Sequence, residues 1–133
     1  MDNQLYVVSR VFFSPRRYSY NAMIHSHRKV QMGSTANLRR RARDCWIDGD
    51  KYKDPVYPAV FEMHVTYPHR VTVGDADSTM WVAKCFLDGL VDAGIIPDDS
   101  PQYIAKVINH APIQGQMGEL DAAAYLGVLS AND

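Results

Sequence analysis

Val82, Phe86, Leu90 and Ala93 recur at helical spacing, and Gly94 follows directly. A helix over 78–93 with one such apolar stripe must bury it against a second layer of structure. Gly94 supplies the left-handed residue that closes a helix of this kind. The segments on either side read as strands. "AVFEMHVTY" (59–67) alternates Val60, Glu62, His64 and Thr66 with Phe61, Met63, Val65 and Tyr67. That alternation gives a strand one apolar face and leaves His64 on the polar one, where a satisfied surface histidine is the default. "YIAKVINHAPI" (103–113) reads as another strand, and "QLYVVSRVFF" (4–13), rich in Val, Tyr and Phe, as the first.

A second helix is predicted in "STANLRRRARDCWID", with Ser34 or Thr35 as N-cap and an apolar stripe of Leu38, Ala42, Cys45 and Trp46. The preceding "AMIHSHRKVQMGS" has no clean period and reads as a loop. "VTV" (71–73) suits a short strand, and the Ala-rich "GELDAAAYLGVLS" near the end favours a short terminal helix. The sum is an α+β (α/β two-layer) fold, a small mixed β-sheet covered by two main helices, in a single domain over 1–133. With 133 residues and 47% hydrophobic content the chain can bury a core. No apolar run approaches the roughly 20 residues that span a bilayer, so no membrane partner is expected. The first residues lack a basic n-region and a small-residue cleavage site, so no signal peptide is expected. Cys45 and Cys85 form no CxxC motif and read as thiols of a reducing cytoplasm.

The net charge of −1 hides an asymmetry. Residues 3–43 hold nine Lys/Arg and no Asp or Glu, whereas 71–133 hold nine Asp/Glu and only two lysines, Lys84 and Lys106. Basic groups neutralise phosphates, and clustered carboxylates hold divalent cations. The competing reading is that both sets are solvated surface that pairs in the fold.

The acid is concentrated in "VGDADSTMWVAKCFLDGLVDAGIIPDDS" (73–100). With Asp77 at the helix N-cap, Lys84 and Asp88 follow seven and eleven residues on, which returns them to within about 20° of the same face. Lys84 and Asp88 also suit a plain i,i+4 surface pair. Asp75 and Asp77 are two apart in extended chain and point the same way. Such carboxylates repel unless a cation lies between them, and Mg²⁺, a hard ion with oxygen ligands, resolves the conflict. Asp98 or Asp99, brought back by the Gly94 turn, would add a third carboxylate, with Thr72 and Ser78 in supporting hydrogen bonds. D-x-D alone is weak, and a turn plus N-cap explains it as well. The whole string is far more specific: D-x-D, a helix bearing Lys, D-G-L, then G-x-x-x-D-D.

This string resembles the acidic signature of the RusA-type Holliday junction resolvases, small phage and prophage endonucleases. Asp75-Ala76-Asp77-Ser78, Lys84, Asp88-Gly89-Leu90, Gly94 and Asp98-Asp99 carry the resemblance, which covers 74–107 and extends more loosely to the first strand, "SPRRYSYN" and the basic helix. It implies a homodimer that uses Mg²⁺, with Mn²⁺ as a substitute, to cut branched DNA by paired symmetric nicks in recombination, repair and replication. By the resemblance Asp75, Asp77 and Asp99 carry the metal, Lys84 is the active-site lysine, and Ser78, Asp88 and Asp98 support them. Ser78 departs from the family's Asn. The predicted C-terminal helix departs from the strand on which the family ends.

Arg16, Arg17, Arg28, Lys29, Arg39, Arg40, Arg41 and Arg43 would give a salt-sensitive phosphate-binding surface. Tyr18 and Tyr20 suit either stacking on unpaired bases or packing at the sheet edge. His25 and His27 lack a third ligand and read as phosphate contacts or loop surface. The expected substrate is a four-way junction, fork or flap, met in the cytoplasm of a bacterial host. A catalytically impaired branched-DNA-binding protein of the same fold is the alternative that Ser78 makes conceivable. A nucleotide-sugar transferase using D-x-D leaves the basic arm unexplained and needs a longer chain.

Overall fold

The computed structural model describes residues 5–13, 28–47, 55–69, 73 and 79–129. In chain order the elements are β1 (Leu5–Phe13), α1 (Arg28–Ile47), β2 (Ala59–Tyr67), α2 (Met80–Asp92), β3 (Ile104–Asn109), β4 (Ile113–Gln114) and β5 (Leu120–Val128). The five strands make one mixed sheet in the order β1-β5-β2-β3, with β4 also paired to β2. β5 is antiparallel to both β1 and β2, while β3 and β4 run parallel to β2. Parallel neighbours need a crossover, and α2 supplies it between β2 and β3.

Alternation assigns the two faces of the sheet. Phe61, Met63 and Val65 of β2 and Leu120, Ala122, Ala124 and Leu126 of β5 are buried together with Val11. Over them lie Leu38, Ala42 and Trp46 of α1 and Val82, Phe86 and Leu90 of α2, all within the same apolar cluster. Both predicted stripes thus face the sheet; full burial of a side chain such as Phe86 or Leu90 stabilises by about 1.5–3 kcal/mol. Polar links fix the layers. Ser9 Oγ donates to Ala42 O at 3.2 Å, Arg41 Nη2 to Phe12 O at 2.6 Å, and Trp46 Nε1 to Phe86 O at 3.3 Å. Among the described residues, no helix is long and apolar enough to cross a membrane.

Several elements differ from expectation. The Ala-rich segment is β5, a central strand, and not a helix. Helix propensity is worth tenths of a kilocalorie per residue. Pairing on both edges and burial of four alternate side chains outweigh it, and small alanines let the helices approach the sheet. α1 begins at Arg28, ahead of the expected cap at Ser34 or Thr35. Arg28, Lys29, Gln31 and Met32 are all good helix formers, and a lone Gly33 does not stop them. The N-cap position of α2 is Thr79 rather than Asp77 or Ser78. The Thr79 hydroxyl, buried, meets the Asn109 amide at the end of β3 instead of capping its own helix, which ties the helix entry to the sheet. Gly94 follows the helix at φ 75°, as its position predicts. The strand over 103–113 is broken into β3 and β4. Pro112, with no N–H to give, falls in the break.

Candidate functional site

α2 carries Lys84 and Asp88 one turn apart on a solvent-facing side, so the two meet as an i,i+4 pair at 3.0 Å. After Gly94 turns the chain, 97–100 comes back beside the helix. There Asp99 Oδ2 accepts from Lys84 Nζ at 2.9 Å, and the Asp99 N–H donates to Asp98 Oδ1 at 2.8 Å. One ammonium therefore bridges carboxylates from two different elements, and a third, Asp98, lies at the same turn. The Lys84 hydrogen bond holds the Asp99 carboxyl below the ordinary carboxylate range. Reciprocally, Asp99 and then Asp88 raise the lysine above its own. Lys84 and Asp99 thus hold each other in their charged forms, and carboxyl groups outnumber the ammonium.

Lys84, Asp88, Asp98 and Asp99, singled out by motif, are thus brought together. Asp75, Asp77, Ser78 and Thr72 lie outside the described residues, as do Arg16, Arg17, Tyr18, Tyr20, His25 and His27. Arg28 and Lys29 fall in the first turn of α1. Arg39 forks onto Asp92 of α2, with Nη2 to Oδ1 at 2.7 Å and a second bond from Nε to Oδ2, and approaches Asp88 at 3.9 Å. Arg43 pairs with the adjacent Asp44 at 2.9 Å, and Arg40 is exposed. Part of the basic helix is therefore engaged by acid of the same chain, as the competing reading of the charge pattern anticipates.

A second cluster lies on the opposite face of the sheet. Glu62 and His64 are i,i+2 on β2 and project together from the face away from the helices. His110 directly follows β3, and its backbone N–H donates to Met63 O at 3.1 Å, which sets it beside His64. The two imidazole rings stack with centroids 4.1 Å apart and planes 15° apart, and the Tyr125 ring of β5 meets His64 edge-on at 5.5 Å. Glu62 Oε2 accepts from His64 Nε2 at 2.8 Å and from His110 Nε2 at 2.7 Å. Partial burial pushes the Glu62 carboxyl up, but the hydrogen bonds from His110 and His64 outweigh it and leave it below its ordinary value. The imidazoles border a cavity of about 550 Å³, which Arg10, Thr66, Ile113 and Asp121 also line. Arg10 is held there by a two-pronged bond to Asp121 across β1 and β5, with Nε to Oδ1 at 2.9 Å. Sequence reasoning takes His64 for an isolated surface residue. E-x-H on a polar strand face is the one local signal, and the second histidine needs the parallel β2–β3 register.

The chain matches no protein-family model, and no curated protein sequence matches it.

Proposed function

We propose that the chain is a Mg²⁺-dependent, structure-selective DNA endonuclease of the RusA type, resolving Holliday junctions and related branched DNA. The observation that carries this reading is Lys84 bridging Asp88 and Asp99. Of the residues that the acidic motif marks, Lys84, Asp88, Asp98 and Asp99 share one charged cluster beside α2, assembled from the helix and the turn that follows it. The C-terminal strand β5 adds support, since the resemblance implies a chain that ends on a strand.

The donor set fits a hard divalent ion. Asp88 and Asp99 share a single lysine, with Asp98 beside Asp99 at the same turn, so carboxylates are in excess, and carboxylate oxygen is the ligand that Mg²⁺ prefers. Asp75, Asp77 and Asp99 would hold it. Such an ion, when bound, supplies an activated water and neutralises charge on the scissile phosphate. Lys84 keeps Asp99 ionised and oriented, and its ammonium is placed to stabilise charge that develops on a phosphate bound at the cluster. Arg40, exposed on α1, serves as a phosphate contact together with Arg16, Arg17, Arg28 and Lys29, and Tyr18 as a base-stacking group. Two copies of the chain in a homodimer match the near two-fold symmetry of a four-way junction, so that two like strands are nicked at related positions. The setting for this activity is the bacterial cytoplasm.

The test is a four-way junction labelled on each strand in turn, incubated with and without Mg²⁺ beside Asp75→Asn and Asp99→Asn. Paired nicks that need the ion and vanish in both variants are expected. Salt-sensitive junction binding with no product at any Mg²⁺ or Mn²⁺ level would replace nuclease action with DNA binding alone.

A further inference from the structure

The Glu62–His64–His110 cluster plays no part in the nuclease reading, and it lies on the other face of the sheet. Its composition is specific: two imidazole nitrogens and one carboxylate oxygen, all within 4.8 Å of one another. That donor set is the one three-ligand metal sites use for Zn²⁺ and its first-row neighbours, with a remaining position left to water or substrate. It differs in kind from the all-oxygen set around Lys84. The backbone holds the three residues at fixed register positions: Glu62 and His64 on β2, and His110 through its bond to Met63 O. No chain rearrangement is needed to bring them together. Glu62 is mostly enclosed at 16% exposure, whereas His64 at 43% and His110 at 42% open to solvent and to the cavity.

We propose that Glu62, His64 and His110 form a binding site for a divalent transition-metal ion of the Zn²⁺ class, with an open coordination position facing the cavity that Arg10 and Thr66 line. As the side chains lie, Glu62 Oε2 receives both Nε2–H groups at 2.7–2.8 Å. A bound ion takes the place of those two N–H protons, and each imidazole then carries its one proton on Nδ1. Bonds of 2.0–2.1 Å in a tetrahedral arrangement set ligand atoms about 3.3 Å apart. Each N–O contact therefore widens by about half an ångström, and the stacked rings fan apart toward solvent, where their exposure gives them room. Protons compete with the ion for the imidazole nitrogens, so binding is weaker in acid.

The experiment uses full-length protein without a polyhistidine tag, stripped by chelator and titrated with Co²⁺ while its visible absorption is read; Zn²⁺ is then added as competitor. One Co²⁺ per chain, displaced by Zn²⁺, is expected. Glu62→Gln, His64→Gln and His110→Gln, which keep side-chain volume and polarity, each weaken binding by at least about tenfold. Asp99→Asn leaves the titration unchanged. The inference is overturned by a wild-type protein that gives no Co²⁺ band and retains no Zn²⁺, or by a His64→Gln/His110→Gln double variant that binds as tightly as wild type. Loss of the band in Asp99→Asn alone would also overturn it, by moving the ion to the acidic cluster. Junction cleavage is read separately, so neither reading stands or falls with the other.

Discussion

Gly89 sits in the middle of α2, where a glycine costs a helix about 1 kcal/mol relative to alanine. Replacing it with alanine would therefore stabilise the helix, if nothing lay opposite. A Cβ built at Gly89 meets Arg43 N at 3.0 Å, Ala42 Cβ at 3.2 Å and Arg39 O at 3.3 Å. Two of those three atoms are α1 backbone, which cannot rotate away, so the helices must separate by a few tenths of an ångström. The contacts that loosen include the fully buried Leu38, Ala42, Phe86 and Leu90. Overpacking of this kind costs about 1–3 kcal/mol. Set against the helix gain, Gly89→Ala should leave the protein about 0–2 kcal/mol less stable. Gly89→Val adds two more carbons at the same contact with a smaller propensity gain, and should cost about 3 kcal/mol or more. Urea unfolding followed by far-UV circular dichroism measures both. A Gly89→Ala protein more stable than wild type by the full helix increment would show that α1 does not lie against this residue, and the packing argument would fall.

Burial pushes the Cys85 thiol up to about 12, so it is not a thiolate at neutral pH. Iodoacetamide at pH 8 should leave Cys85 unmodified in the native protein and alkylate it in urea, as read by peptide mass spectrometry; native labelling would refute its enclosure. Glu62, with a folded pKa below its ordinary 4.5, stabilises the fold fully above that unfolded value. The contribution is lost as pH falls through the lower folded value. Wild type should thus lose stability more steeply below about pH 4.5 than Glu62→Gln does, in urea midpoints taken from pH 6 to 3. Parallel curves would mean that the two histidines do not favour the ionised carboxyl.

Where the sequence carries its own geometry, the fold was legible. The alternation of β2 and the stripes of α1 and α2 identify elements and buried faces from spacing alone, and Gly94 marks a helix end that only a residue tolerant of φ 75° serves well. The failures share a cause. Ala122, Ala123 and Ala124 are ambiguous locally, and only the neighbours on both sides make them strand. The helix entry falls at Thr79, whose hydroxyl is engaged by Asn109, thirty residues on, and not by its own helix. The site divides the same way. Lys84 with Asp88 follows from helical spacing, and the Gly94 turn makes the return of Asp99 plausible. His110 joins Glu62 and His64 only through a parallel pairing that no local pattern encodes.

The charge asymmetry resolves into two parts that act differently. Arg10 with Asp121 joins β1 to β5, and Arg39 with Asp92 joins α1 to α2. Those pairs cross element boundaries at one-to-one stoichiometry, which is what structural pairing predicts. The Arg39–Asp92 pair, being exposed, contributes about 0.2–1 kcal/mol, whereas Arg10 compensates the charge of the buried Asp121. The cluster at Lys84 breaks that stoichiometry. Asp88 and Asp99 converge on one ammonium, with Asp98 at the same turn, and Arg39, already forked onto Asp92, reaches Asp88 only at 3.9 Å. Like charges held together cost stability unless something positive joins them. Pairing within the fold therefore accounts for Arg10 and Arg39 one to one, whereas beside α2 two carboxylates, Asp88 and Asp99, share the single ammonium of Lys84.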